Sequence, residues 1–146
     1  MNESKTVTVL LVEDDPADQK LVKIALAHQG KNCEIYVAGN GEEALEYLRQ
    51  SNDGKLQNPR PNIILLDLNM PGMGGREFLK EIKADDDLSS IPVVILTTSD
   101  SETDIEQCYR LQASGYVQKP ASPTEFQQVV KKFAKYWFVT SQTVKS

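Results

Sequence analysis

The chain has 146 residues, 40% hydrophobic and 25% charged, the length and make-up of one ordinary globular domain that needs no disulfide or metal to fold. Sixteen Lys and Arg against 21 Asp and Glu leave a net charge of −5, which argues against sequence-independent nucleic-acid binding but not against a cation site. His28 is the single histidine, so histidine-rich zinc sites and most triads with a histidine base are excluded; chemistry falls to carboxylates, hydroxyls and lysines.

Residues 1–6 leave no room for a signal peptide before the apolar run 7–12 (VTVLLV), which reads as a strand. Asp15 then caps a helix with Pro16 in its first position, and Leu21, Ile24 and Ala25 share one helical face. A weaker strand candidate at 34–38 (EIYVA) precedes a helix with Ala44, Leu45 and Leu48 on its apolar side. Residues 51–61 (SNDGKLQNPRP) form a polar loop with Gly54, Pro59 and Pro61, either a plain surface connection or a functional one. The next strand is 63–66 (IILL), and Phe78, Leu79 and Ile82 mark the helix after it. A strand at 93–96 (VVIL) leads to a helix with Ile105, Cys108 and Tyr109 on one face. A weaker strand at 114–118 (SGYVQ) precedes the last helix, where Phe126, Val129, Val130, Phe133 and Trp137 fall in a narrow stripe.

The runs at 7–12, 63–66 and 93–96 lack polar alternation, as strands covered on both faces do. Five strands alternating with five helices predict an α/β fold, a doubly wound parallel sheet with helices on both faces. The chain reads as a single domain over 1–146 with its core at about 7–138 and no second module. Cys33 and Cys108 are far apart and read as small apolar residues in a reducing compartment. No apolar run approaches the roughly 18 residues of a membrane span, so a cytoplasmic protein without membrane contact is expected.

In open α/β sheets, ligands bind outside the carboxyl ends of the strands, at the switch point of the topology. The expected strands end in Glu13-Asp14, Asp67, Thr97 and Lys119-Pro120. In the flavodoxin-like order 2-1-3-4-5, Glu13, Asp14 and Asp67 flank the switch, with Thr97 and Lys119 on the neighbouring strands. Each has a plain reading alone: a helix N-terminus favouring acids, a turn aspartate, a strand threonine, a solvated lysine. Four strand ends together are harder to dismiss. Three converging carboxylates repel unless a cation stands among them, and a hard divalent ion with oxygen ligands, such as Mg²⁺, answers that need. A cation, a lysine and a hydroxyl also suit an incoming phosphoryl group, with a carboxylate as nucleophile. The pattern points to phosphoryl transfer onto an aspartate.

With these residues in place, the sequence resembles the receiver domain of two-component response regulators. The matching segments are LLVEDDP (10–16), LLDLNMPGMGG (65–75), PVVILTTS (92–99) and ASGYVQKP (113–120), in the family's order and spread over nearly the whole chain. The resemblance implies that Asp67 is the phosphoacceptor. It implies that Glu13 and Asp14 are the acidic pair serving Mg²⁺, joined by Asp67, and that Asn69 offers a backbone carbonyl to the metal. Thr97 and Lys119 then contact the phosphoryl group, and Thr97 and Tyr116 form the switch pair; a half-buried strand aromatic is the plain reading of Tyr116. Pro71 and Gly75 suit the sharp turn after Asp67. Lys119-Pro120 reads as a rigid turn, with a cis bond as the family expectation.

Three departures from the family pattern stand out. Thr98 stands where a smaller residue is usual and is expected to slow access or dephosphorylation; Gly74 replaces a polar residue; and loop 51–61 is longer. That loop, running into NPRPNIILLDLNMP (58–71), and the aromatic last helix are similar to the small stand-alone receivers partnered with cyanobacterial and other bacterial phytochromes. The implied partner is a sensor histidine kinase, with output through protein contacts rather than a fused DNA-binding or enzymatic domain. Tyr136, Trp137 and Phe138 suggest a homodimer through the last helix. A true enzyme is disfavoured: a haloacid-dehalogenase-like phosphatase would carry a second aspartate where Asn69 stands, and Asn69 cannot shuttle a proton. A pseudo-receiver would lack one of the key residues, and a dinucleotide site would not place Glu13-Asp14-Asp15 against a pyrophosphate.

Overall fold

A computed structural model describes residues 7–27, 33–51, 58–70 and 72–145, with 138–145 as backbone alone. The elements alternate as expected. They are β1 (Val7–Val12), α1 (Pro16–Ala27), β2 (Cys33–Ala38), α2 (Gly41–Ser51), β3 (Ile63–Leu66), α3 (Gly75–Lys83), β4 (Val93–Thr97), α4 (Glu102–Arg110), β5 (Gly115–Gln118) and α5 (Pro123–Lys145). All pairings are parallel and the sheet order is β2-β1-β3-β4-β5, the flavodoxin-like order. Among the described residues no helix is long and apolar enough to cross a membrane.

The period-two alternation of the strands divides the core. Leu10, Val12, Ile64, Leu66, Val93 and Ile95 face one side, where Ala44, Leu45, Leu48, Phe78, Leu79, Ile82 and Cys108 cover them. Val9, Leu11, Ile63, Leu65, Val94 and Leu96 face the other, against Val22, Ala25 and Leu26 of α1 and Phe126, Val130 and Ala134 of α5. The three central strands are thus buried on both faces, which is why they read as unbroken apolar runs. β2 and β5 are the edges, and their half-buried residues explain their weaker sequence signal.

Two helix faces differ from expectation. In α1 the buried residues are Val22, Ala25 and Leu26, while Ile24 is 36% exposed and Leu21 only half-buried. Apolar residues at 21, 22, 24, 25 and 26 fill most of a turn, so the pattern did not select one stripe; the packing against α5 did. In α4 only Cys108 is buried, Ile105 is half-buried and Tyr109 is 49% exposed. Both cysteines are free thiols, Cys108 buried and Cys33 half-buried. Residues 52–57 of the long loop, His28 and Pro71 lie outside the described residues. The loop's exit is tied down: the Tyr47 hydroxyl donates to the Pro59 carbonyl at 2.7 Å, and Arg60 donates to the Asp87 carbonyl at 2.8 Å.

Candidate functional site

The chain leaves β1 to one side for β2 and returns past β1 to build β3, so the switch point lies between β1 and β3. The ladder continues one residue past the strands: the Glu13 N–H donates to the Ala38 carbonyl and the Asp67 N–H to the Val12 carbonyl. That registers Glu13 and Asp67 side by side at the carboxyl edge. Asp14 stands exposed at the mouth, and carboxylate oxygens of Glu13, Asp14 and Asp67 all lie within 4.8 Å of one another. Glu13, Asp67, Thr97 and Lys119 are buried. Glu13, Asp14, Asp67 and Lys119 therefore meet at this carboxyl edge, and Thr97 adjoins them through Asn69 and the Lys119 backbone.

Each is held by its neighbours. Asp15 caps α1 as expected, its Oδ1 accepting from the Ala17 N–H at 2.9 Å. The Asp15 N–H donates to Glu13 Oε2 at 3.1 Å, and the Gln19 side-chain amide donates to the Glu13 carbonyl at 2.7 Å. On the β3 side the Asn69 N–H reaches Asp67 Oδ1 at 3.4 Å, and the Asn69 amide reaches Thr97 Oγ1 at 3.5 Å. Gly75 makes the turn possible by close approach, not by unusual backbone angles. A Cβ there would stand 2.4 Å from the Asp67 carbonyl oxygen. Gly72 is the residue of this turn that needs a left-handed conformation, with φ +73°.

The lysine is the electrostatic centre. Lys119 Nζ donates to Glu13 Oε1 at 2.6 Å and to Asp18 Oδ2 at 2.8 Å, lies 3.8 Å from Asp67 Oδ2, and stands 5.8 Å from the centroid of the Phe126 ring. Burial works against its charge, but the bonds to Asp18 and Glu13 and the field of Asp67 outweigh it and hold the ammonium above its usual range. Burial pushes Glu13 up to about 7 despite the bond from Lys119, and it raises Asp67 as well. One ammonium does not offset the carboxylates around it. An all-oxygen donor set with two acids raised by desolvation is what a hard divalent cation relieves, so these residues fit such an ion.

The bond from Lys119 to Pro120 is trans, since no cis peptide occurs among the described residues; the cis expectation is corrected. The lysine needs no such bond to be aimed. Its N–H donates to the Thr97 carbonyl at 2.6 Å, which fixes its backbone, and two carboxylates fix its tip.

A second group adjoins the pocket. The half-buried Tyr116 donates its hydroxyl to the Ser99 carbonyl at 3.0 Å. Ser99 Oγ donates to Asp104 Oδ2 at 2.6 Å, and Asp104 also forms an ion pair with Arg76 of α3. These bonds hold Asp104 below the usual carboxylate range, the Ser99 bond first and the Arg76 bond next. Sequence reasoning did not single out Asp18, Arg76, Ser99 or Asp104. One local signal was available, the capping pattern Ser101-x-x-Asp104, and Ser101 does cap α4.

A family model described as the response regulator receiver domain matches residues 9–131. Response regulator Rcp1 of Synechocystis sp. is 41% identical over 133 residues, covering 90% of this chain and 89% of Rcp1. A solved structure of the phosphorylated cyanobacterial phytochrome response regulator RcpA superposes with a TM-score of 0.86 at 41% identity, over 93% of this chain and 96% of that one. The Mn²⁺-bound form of Rcp1 superposes with a TM-score of 0.82 at 39% identity, over 90% and 94%.

Proposed function

The chain belongs to the response regulator receiver family, the phosphoryl-accepting signalling modules of two-component systems, and from that premise we propose that Asp67 is its phosphoacceptor. The observation that carries this reading is the meeting of three carboxylates within 4.8 Å with an ammonium 3.8 Å from Asp67. An Asp67 carboxylate oxygen attacks the phosphorus of a phosphohistidine on a sensor histidine kinase. The phosphorus–nitrogen bond breaks, and its electron pair leaves with the imidazole. Lys119 and the Thr97 hydroxyl hold the transferred oxygens, and Tyr116 and Thr97 communicate the change to the β4–α4 surface.

Glu13, Asp14 and Asp67, with the Asn69 backbone carbonyl, would hold Mg²⁺, whose charge neutralises the phosphoryl oxygens. The chain assists its own phosphorylation and dephosphorylation and turns over no other substrate. It works in the cytoplasm without direct contact to nucleic acid or membrane. Its likeness to phytochrome response regulators makes a phytochrome kinase the proposed donor, and output runs through protein contacts from one receiver domain over 1–146. A homodimer through α5 would use Tyr136, which is 69% exposed, more than Trp137, which is half-buried and stacked on Phe133 at 6.2 Å. Phe138 lies outside the described side chains.

Incubation with Mg²⁺ and acetyl phosphate, read by mass spectrometry, tests the central point. One labile phosphoryl group is expected on the parent and none on Asp67→Asn. An unmodified parent, or a modified variant, overturns the assignment.

A further inference from the structure

Lys119 has a partner that the phosphoryl pocket does not require. An ammonium offers three N–H donors. Here one goes to Glu13 at 2.6 Å and one to Asp18 at 2.8 Å, while Asp67 waits at 3.8 Å. Asp18 is not in the carboxylate cluster that could hold a cation. It sits in the first turn of α1, a position that favours an acid for its own sake. Helix position accounts for the residue type. It does not account for a side chain that reaches across to the end of β5 and is only 23% exposed there.

We propose that Asp18 is a positioning residue that tethers the Lys119 ammonium to the α1 side of the pocket, so that its grip opposes capture of the lysine by a phosphoryl group on Asp67. The proposal rests on the assignment of Asp67 as phosphoacceptor. A charge-assisted bond to a phosphoryl oxygen is about 2.8 Å long, and the ammonium now points its two short bonds at Glu13 and Asp18 rather than at Asp67, 3.8 Å away, so engaging a group on Asp67 means redirecting it. Glu13 lies beside Asp67 and can follow that movement in part. Asp18 is anchored on α1 and lies outside the carboxylate cluster, so its bond competes with the ammonium's turn toward Asp67. The tether is therefore a cost borne by the phosphorylated state, and its strength sets how readily the pocket loads.

Asp18→Asn keeps the shape and a neutral acceptor while removing the charge. It should raise the rate of phosphorylation by acetyl phosphate, and the affinity for beryllofluoride with Mg²⁺, by roughly 3- to 10-fold, the difference between a charge-assisted and a neutral hydrogen bond. A second readout needs neither metal nor phosphoryl group. In chelator-treated protein the Lys119 ammonium should give a proton-detected nitrogen resonance protected from exchange, and Asp18→Asn should shift it and speed its exchange. The same substitution in a Lys119→Ala background should leave loading unchanged, whereas a merely structural role for Asp18 would persist there. The ammonium signal of the single variant decides the matter where the double variant does not fold. If the parent itself takes no phosphoryl group on Asp67, the underlying assignment fails. If the parent loads normally but Asp18→Asn loads no faster, leaves the ammonium signal in place, or acts equally without Lys119, the tether is refuted.

Discussion

Adjacent glycines in the turn after β3 allow a sharp test of how the backbone holds Asp67. A Cβ built on Gly75 would lie 2.4 Å from the Asp67 carbonyl oxygen and 2.7 Å from Leu68 Cα. Unstrained carbon contacts lie near 3.5–4.0 Å, so the chain must part by about 1 Å. No side chain can rotate out of the way, because the obstruction is main chain. Alanine in place of glycine normally favours a helix by about 1 kcal/mol, and overpacking costs about 1–3 kcal/mol. With backbone on both sides of the clash the upper half of that range applies, and Gly75→Ala should be destabilised by about 1–2 kcal/mol net. At Gly74, φ is −76° and a Cβ would find its nearest atoms at 3.6 and 3.9 Å, so Gly74→Ala should change stability by less than about 1 kcal/mol. Urea unfolding of both variants in chelator reads this difference. The functional consequence is separate: a 1 Å displacement of a reacting group can cost on the order of 100-fold, so acetyl phosphate labelling of Gly75→Ala should slow by roughly 10- to 100-fold. A Gly75→Ala protein as stable as Gly74→Ala and labelled as fast as the parent would refute the claim that this glycine seats Asp67.

Further outcomes follow from the charges and the switch region. Burial raises Glu13 from 4.5 to about 7 and raises Asp67 too, so the folded state holds these protons more tightly than the unfolded chain. The Glu13 contribution is full below about pH 4.5 and is lost as pH climbs through 7, a loss on the order of 1–3 kcal/mol, and Asp67 acts in the same direction. The metal-free urea midpoint should therefore fall between pH 5 and 8, and Mg²⁺, which needs ionised carboxylates, should restore more at pH 8 than at pH 6; a flat or rising metal-free profile contradicts this. Tyr116→Phe removes the bond to the Ser99 carbonyl and should cost about 0.5–1.5 kcal/mol, with faster amide exchange at residues 99–101; unchanged exchange would show that this bond does not hold the loop. Thr98 is exposed beside the buried Thr97, and Thr98→Ala should shorten the phosphoryl half-life if its bulk shields the pocket mouth; equal half-lives end that idea.

How much was legible from sequence followed from what each feature depends on. The strands β1, β3 and β4 were plain because burial on both faces leaves an unbroken apolar run, and the strand-end acids were plain because a parallel sheet gathers its carboxyl ends whatever the side chains do. The faces of α1 and α4 were not. Apolar residues surround most of a turn of α1, and α4 buries a single residue, so only the packing partner decides which side turns inward. The isomer of Lys119–Pro120 was illegible for an energetic reason, since the two forms differ by about 0.5–1 kcal/mol in a free chain. Asp18, Ser99, Asp104 and Arg76 were missed for a third reason: they act through side-chain bonds to residues distant in sequence or on other elements, and, the Ser101-x-x-Asp104 cap aside, no spacing rule encodes the direction of a side chain. That gap matters most at Lys119. Sequence position puts an ammonium at the mouth with three acids. The geometry adds a fourth on α1, and with it the question of which acid the lysine must leave when a phosphoryl group arrives. Glu13 stands beside Asp67 in the ladder and in the carboxylate cluster, whereas Asp18 belongs to α1 and lies outside that cluster. On the tether proposed above, the lysine's turn toward a group on Asp67 is made against the bond to Asp18.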